Sequence, residues 1–280
     1  MIFYDSSQIK GRFAERCLTD CFLLNPPTLI FAVMETGNMV QEVIFRDLGL
    51  IDYREAWEYQ EKLLRENIQF KSQSAERKGL GILSSNQSTT HYLIFCEHPP
   101  VYTLGKSGHS RNLLASPEQL DEQGIQFVET NRGGDITFHG PGQVVGYPIM
   151  DLERFRTDIG YYLRSLEEVI IRTLDKYAIK GERSPGLTGV WLDAENPGKA
   201  RKICAMGVRC SRWITMHGFA FNVNTDLHYF NGIIPCGIAG GRVTSLQREL
   251  GTEVPMAEVK RELCADFEQV FGAHLVSDGV

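Results

Sequence analysis

Several catalytic signatures are missing from the 280 residues. No CxxC pair, HExxH or GxSxG occurs, which argues against a structural zinc site, a zincin protease and a serine hydrolase of the nucleophile-elbow type. Gly105-Lys106-Ser107 resembles the end of a phosphate-binding loop, but Pro100 stands where its first glycine belongs. Gly140, Gly142 and Gly146 miss the dinucleotide fingerprint by one position. Nothing approaches eighteen uncharged apolar residues, so no membrane span is expected. A basic excess is also lacking: 29 Lys+Arg against 35 Asp+Glu gives a net charge of −6, which argues against nucleic acid as a partner. No metal and no cofactor are called for. The seven cysteines are an odd number without framework spacing, as expected of a reduced, cytoplasmic protein.

Apolar residues at 42% and charged residues at 23% describe an ordinary globular chain with no repeat and no low-complexity linker. Residues 1–38 faintly mimic a signal peptide, with Lys10, Arg12 and Arg16 ahead of an apolar stretch. Asp5, Glu15, Asp20 and Asn25-Pro26-Pro27 spoil it. They are expected to be a poorly ordered extension or a start-site artefact, since Met39 precedes the first convincing strand, and residues 39–280 are expected to form the domain.

Strands are expected at 42–48, 92–96, 101–104, 125–129, 143–150, 189–192, 202–209 and 213–223. Helices are expected from the Asp52 cap for about five turns, over 117–123 behind Ser116, from the Asp158 cap to about Ala178, and over 256–271. Lys71–Thr90, rich in Ser, Gln, Lys and Gly, reads as a loop. Interleaved strands and helices predict one α/β domain with a mixed sheet flanked by helices.

Three stretches concentrate chemistry. Arg132 to Gln143 holds five Gly or Pro among twelve residues yet also carries Arg, Asp, Thr, His and Gln. It is either a hairpin loop or a backbone cradle for a ligand. In a strand, Lys202 would share a face with Cys204, Met206 and Val208, as a snorkelling edge charge or a functional amine. From Gly198 to Arg212 there are five basic residues and no acidic one, which is either a solvated face or a dock for an acidic partner. Cys236 lies between Pro235 and Gly237, as a small buried hydrophobe or a presented thiol.

Together with His98-Pro99-Pro100-Val101-Tyr102-Thr103-Leu104-Gly105, Gly189-Val190-Trp191, Thr215-Met216-His217-Gly218, Asn222-Val223-Asn224 and Val243-Thr244-Ser245-Leu246, these stretches resemble the octanoyltransferases of lipoate biosynthesis from about Ile44 to Leu250. The resemblance implies a fold shared with biotin and lipoate protein ligases. It implies transfer of an octanoyl or lipoyl group from acyl carrier protein, through a thioester on Cys236, to lipoyl domains of 2-oxoacid dehydrogenase subunits and of the glycine-cleavage carrier. Lys202 would lower the thiol pKa and act as general base. Substrate would be held by Arg132, Gly133, Gly134, Asp135, Ile136, Thr137, Phe138 and His139, by Ala205, Met206 and Gly207, and by Gly218, Phe219 and Ala220. His139 would orient the substrate, and His217 is expected to be structural. The alternatives are an ATP-dependent lipoate or biotin ligase on the same fold, and a non-catalytic carrier-binding module with a buried Cys236.

Overall fold

Most of the expected strands are buried on both faces, which explains their near-continuous apolar sequence. The computed structural model describes residues 40–81, 88–234 and 242–277. The 1–38 extension and Cys236 with its Pro-Cys-Gly turn lie outside the described residues. In chain order the elements are β1 (Gln41–Leu50), α1 (Tyr53–Gly79), β2 (His91–Glu97), β3 (Val101–Leu104), α2 (Pro117–Glu122), β4 (Gln126–Glu129), β5 (Ile136–His139), β6 (Gln143–Ile149), α3 (Ile159–Asp175), β7 (Glu182–Arg183), β8 (Val190–Leu192), β9 (Arg201–Ser211), β10 (Ile214–Asn222), β11 (Arg242–Val243), α4 (Leu246–Leu250), α5 (Met256–Phe271) and β12 (Ala273–Ser277).

The large sheet runs β12-β1-β2-β6-β10-β9-β8-β7, with β11 also on β9. β1 pairs parallel with β2 and β12, whereas β2, β6, β10, β9, β8 and β7 pair antiparallel in turn, so the sheet is mixed as expected. Alternation along β2 sends Leu93 and Phe95 to a core shared with α3 and α5. Ile94 and Cys96 go to a second core under α1. β3, β4 and β5 form a separate three-stranded sheet, so the Gly-rich stretch is not a plain hairpin loop: four of its residues pair with β3.

α1 begins where expected, with the Asp52 carboxylate accepting from the Arg54 N–H at 2.8 Å. It corrects the expected loop at 71–90, because the helix runs on to Gly79. The extension holds good helix formers and no proline. Lys71 Nζ also ties it down by donating to Asp151 at 2.8 Å and to the Arg212 carbonyl at 2.9 Å.

Two enclosed polar groups bind the layers together. Glu167 on α3 is fully buried; it accepts from Arg164 at 2.6 Å, from Arg183 at 3.2 Å and from the Gly189 N–H at 3.0 Å. His98, between β2 and β3, donates from Nδ1 to the Ile51 carbonyl at 2.8 Å. Its Nε2 then accepts from the Tyr147 hydroxyl at 2.8 Å. Burial pushes the pKa of His98 down to about 4, and that of His91, beside Asp151, to about 4 as well.

Glu167→Ala is expected to cost about 1–3 kcal/mol, mostly from the orphaned Gly189 N–H, since both arginines reach water. Urea unfolding measures it, and a change below about 0.5 kcal/mol would contradict this account. Folded histidines with a depressed pKa bind fewer protons than the unfolded chain, so stability falls as pH drops from about 6.5 through about 4. The loss is about 1.4 kcal/mol per pH unit for each of His91 and His98. Urea unfolding at pH 7 and pH 5 should therefore differ by at least about 3 kcal/mol; a flat profile would show that these imidazoles are not held neutral.

Candidate active site

β9 and β10 form the floor on which the chemistry-bearing residues meet. Two residues close the hairpin between them, Arg212 at φ 50° and Trp213 at φ 66°, the left-handed pair that a two-residue hairpin turn requires. The register opposes Gly207 to Gly218, Met206 to Phe219 and Ala205 to Ala220. Over this floor lies the Gly-rich stretch, with the Gly133 N–H donating to the Val208 carbonyl at 2.9 Å. A Cβ on Gly207 would meet the Gly133 carbonyl at 2.6 Å, so only glycine lets the two segments approach this closely. Because its N–H is already spent on Val208, Gly133 is not a free oxyanion donor.

The result is a cavity of about 580 Å³, within the ordinary range for small-molecule sites. Its lining brings together Lys202, Arg132, Gly133, Gly134, Asp135, Ile136, Thr137, His139, Ala205, Met206, Gly207, Gly218, Phe219 and Ala220. Phe138 is the exception. It stacks on Tyr229 at 4.7 Å and packs edge-on against Tyr102 in the core under the small sheet, which corrects its expected place in the site. The cavity also takes Ile159 and Leu163 from α3, Leu187 and Thr188 from the loop before β8, Phe230 and Val243. Ile159 and Leu163 belong to the apolar face of α3. Periodicity tells which helix face is apolar but not whether it meets packing or a cavity.

Lys202 lines this cavity and is only 8% exposed. Its Nζ lies 4.6 Å from the centroid of the Trp191 ring, a geometry that stabilises the ammonium. The expectation that Lys202 shares a face with Cys204, Met206 and Val208 holds in part: Lys202, Met206 and Val208 all line the cavity, and Cys204 does not. Trp191 pairs with Lys202 and Val190 with Cys204, so two steps of β9 oppose one of β8. This bulge breaks the alternation between Lys202 and Cys204, which is enclosed in the α3–α5 core, while Met206 and Val208 pack against that core and also line the cavity. A Cβ on Gly189, at φ 106°, would collide with the Cys204 carbonyl and touch the lysine stem, so this glycine keeps the bulge and the amine together.

The imidazoles fall into two kinds. Gln143 donates to the Phe138 carbonyl and to Asn222, so its Oε1 accepts from His139 Nδ1 at 2.9 Å. His139 Nε2 is then left to accept from Thr103 Oγ1 at 3.2 Å. Both nitrogens are thus engaged. The ring stacks on Tyr53 at 5.7 Å, and burial holds its pKa well below the ordinary value. Asn131 donates to Glu61 at 2.9 Å, so its Oδ1 accepts from His217 Nε2 at 2.7 Å. His217 Nδ1 is buried without a hydrogen-bond partner. Burial, with help from Arg132 and Arg209, takes the His217 pKa down to about 3.

Charges in the basic stretch are mostly spent internally, which corrects its reading as a docking face. Arg201 pairs with Asp193 and with Glu249 at 2.5 Å, Arg209 pairs with Glu61 at 2.6 Å, and Lys202 is enclosed. Lys106 and Arg111, in the exposed loop that carries the lining residue Ser107, have no ion pair among the described residues. Four thiols are described. Burial raises the pKa of Cys96, Cys204 and Cys210, and takes Cys264 to about 12; none of the four lines the cavity. Among the described residues no group of three His, Cys, Asp or Glu could hold a metal ion, and no helix is long and apolar enough to cross a membrane.

The Lipoyl protein ligase A/B catalytic domain family matches residues 52–268. An octanoyltransferase of Christiangramia forsetii is 56% identical over 238 residues, covering 85% of this chain and 99% of that protein. One from Flavobacterium johnsoniae is 54% identical, covering 85% and 100%. Among solved structures, lipoate-protein ligase A bound with ATP superposes with a TM-score of 0.64 at 16% identity, covering 85% of this chain and 89% of that one. The bi-partite lipoate protein ligase of Thermoplasma acidophilum gives 0.60 at 16% identity, covering 85% and 87%. At that identity the likeness concerns the fold, which agrees with the mixed sheet expected from sequence. The chain therefore belongs to the Lipoyl protein ligase A/B catalytic domain family, among its octanoyltransferases.

Proposed function

We propose that the chain takes an octanoyl group from acyl carrier protein as a thioester on Cys236 and passes it to the target lysine of lipoyl domains, in the cytoplasm. The observation that carries this reading is the buried Lys202 amine in a largely apolar cavity that the chain lines from both sides of position 236. On one side Phe230 lines the cavity and the Ile234 N–H donates to the Asn112 carbonyl at 2.8 Å. On the other, Val243 pairs with Lys202 and the Thr244 N–H donates to the Lys202 carbonyl at 2.9 Å.

The chemistry needs these two groups together. An ordinary thiol, with pKa about 8.5, is only a few per cent thiolate at neutral pH. A neighbouring ammonium favours the thiolate. The thiolate attacks the carrier thioester, the new C–S bond forms as the old one breaks, and the carrier's sulfur leaves as a thiol with the proton of the Lys202 ammonium, which becomes the free amine. The acceptor lysine then attacks as a neutral amine, the C–N bond forms, the C–S bond to Cys236 breaks, and Lys202 as free amine takes the proton shed by nitrogen. Thioester exchange is close to isoenergetic and amide formation runs downhill, so no nucleotide is consumed. Acidic carriers would meet Lys106 and Arg111 at the rim rather than the neutralised 198–212 stretch.

Incubation with octanoyl-acyl carrier protein, without nucleotide, is expected to add one octanoyl mass that survives denaturation and is released by hydroxylamine. Cys236→Ser should show no such adduct. An adduct that requires ATP would favour the ligase reading supported by the shared fold. No adduct under either condition would leave a carrier-binding module.

A further inference from the structure

The loop between β3 and α2 turns its backbone inward and its charges outward. Its first backbone N–H groups are engaged within the protein. Lys106 donates to the Arg132 carbonyl at 2.9 Å, Ser107 to that of Gly134 at 3.2 Å, Gly105 to that of Asp135 at 3.3 Å and Gly108 to that of Gly105 at 3.0 Å. A Cβ at Gly105 would collide with the Gly134 carbonyl, so glycine lets the loop come this close to the Gly-rich stretch. Farther along, the buried Asn112 side chain donates to the Asp135 carboxylate at 2.7 Å. The Leu114 and Ala115 N–H groups both reach the Gly232 carbonyl, at 2.8 and 3.1 Å. The loop is thus fastened to the wall of the cavity, which its Ser107 lines.

What it presents to solvent is of one sign. Lys106, Ser107, His109, Ser110 and Arg111 are all exposed. No acidic residue occurs between Glu97 and Glu118, and the Glu118 carboxylate is held by the Ser116 hydroxyl at 2.7 Å. Asp135, which the loop touches, is turned inward to Asn112 and to its neighbour's N–H at 2.7 Å. On a chain of net −6, this is a local attractor for negative charge. Leu114, 56% exposed, adds an apolar side chain to the same face. A nucleotide phosphate is cradled by backbone N–H groups, and in the Gly105-Lys106-Ser107-Gly108 run these are already engaged. Only the side chains are left to meet an anion, and they meet one that arrives from outside.

We propose that residues 105–114 form the docking face for the acyl donor, an acidic carrier protein. Its carboxylates meet Lys106 and Arg111, and the phosphodiester at the root of its acyl arm meets the same cations and the Ser107 and Ser110 hydroxyls. The inference rests on the acyl-transfer reading. Carboxylates alone would suit donor and acceptor equally. The phosphate belongs to the donor's arm, and hydroxyls placed among cations beside the cavity favour it.

Octanoyl loading of the full chain, followed by intact mass, tests this with two donors. One is octanoyl-acyl carrier protein, and the other is octanoyl-N-acetylcysteamine, a thioester with neither protein nor phosphate. The ratio of their second-order loading rates separates docking from chemistry. In the Lys106→Glu, Arg111→Glu double variant the ratio should fall at least about tenfold at low salt, and in Lys106→Gln, Arg111→Gln by less. Raising NaCl from about 0.05 to about 0.3 M should lower the wild-type ratio severalfold and leave that of the glutamate variant nearly level. If the small thioester loads too slowly to measure, KM for the carrier should rise at least about tenfold while kcat stays within about twofold. A ratio or KM unmoved in both double variants would overturn the docking face. Normal loading with slowed transfer from the loaded protein to a lipoyl domain would also overturn it, assigning the face to the acceptor. If neither donor loads wild type, the acyl-transfer reading fails and the docking face with it.

Discussion

A primary amine held out of water is the constraint around which the site is built. Removing an ammonium from solvent costs several kcal/mol unless the surroundings compensate. At Lys202 part of that compensation is the Trp191 face, 4.6 Å from the nitrogen. That contact exists because β9 carries a bulge opposite β8, and the bulge can form because position 189 has no side chain. Glu167, reaching from α3 to the Gly189 N–H, fixes the turn from below. A helix carboxylate, a glycine, an extra strand residue and an indole thus converge on one nitrogen.

From that nitrogen the cavity changes character along β9 and β10. Near Lys202 its wall includes aliphatic groups from α3 and the loop before β8. Elsewhere it meets imidazoles and phenols held by buried partners, Tyr147 by His98, His139 by Gln143 and His217 by Asn131. Burial decides the charge there: it pushes the histidines down and Tyr53 up to about 12, so the rings stay neutral at physiological pH. These neutral rings stand beside the buried Arg132 guanidinium, whose charge helps to hold His139 and His217 down, so the cavity is lined by two cations, Lys202 and Arg132.

Much of this was legible in the residues, for reasons that can be named. The Asp52 and Asp158 caps and the apolar face of α3 are local signals, and local physics sets them. α5 was read at its observed bounds because its periodicity ends at the Gly272 cap. The misses were non-local. β12 gains its identity from parallel pairing with β1, more than two hundred residues earlier. β5 is a strand only because β3 lies beside it, and two-residue β7 and β11 are defined wholly by their partners. The break between Lys202 and Cys204 could not be read from alternation, since a bulge is a property of two strands. Nor could the contrast between His139 and His217: each stands in a motif of polar and glycine residues, and only the hydrogen-bond network distinguishes a ring with both nitrogens engaged from one with an open acceptor.

The central claim is that the Lys202 ammonium acts on the Cys236 sulfur, and the pH dependence of Cys236 alkylation tests it most directly. Iodoacetamide labelling of position 236, followed by peptide mass, should titrate with a midpoint below the ordinary thiol value of about 8.5. In Lys202→Ala that midpoint should rise by about one pH unit or more, because each unit corresponds to about 1.4 kcal/mol of lost charge interaction. Identical profiles in the two proteins would contradict the account at its root.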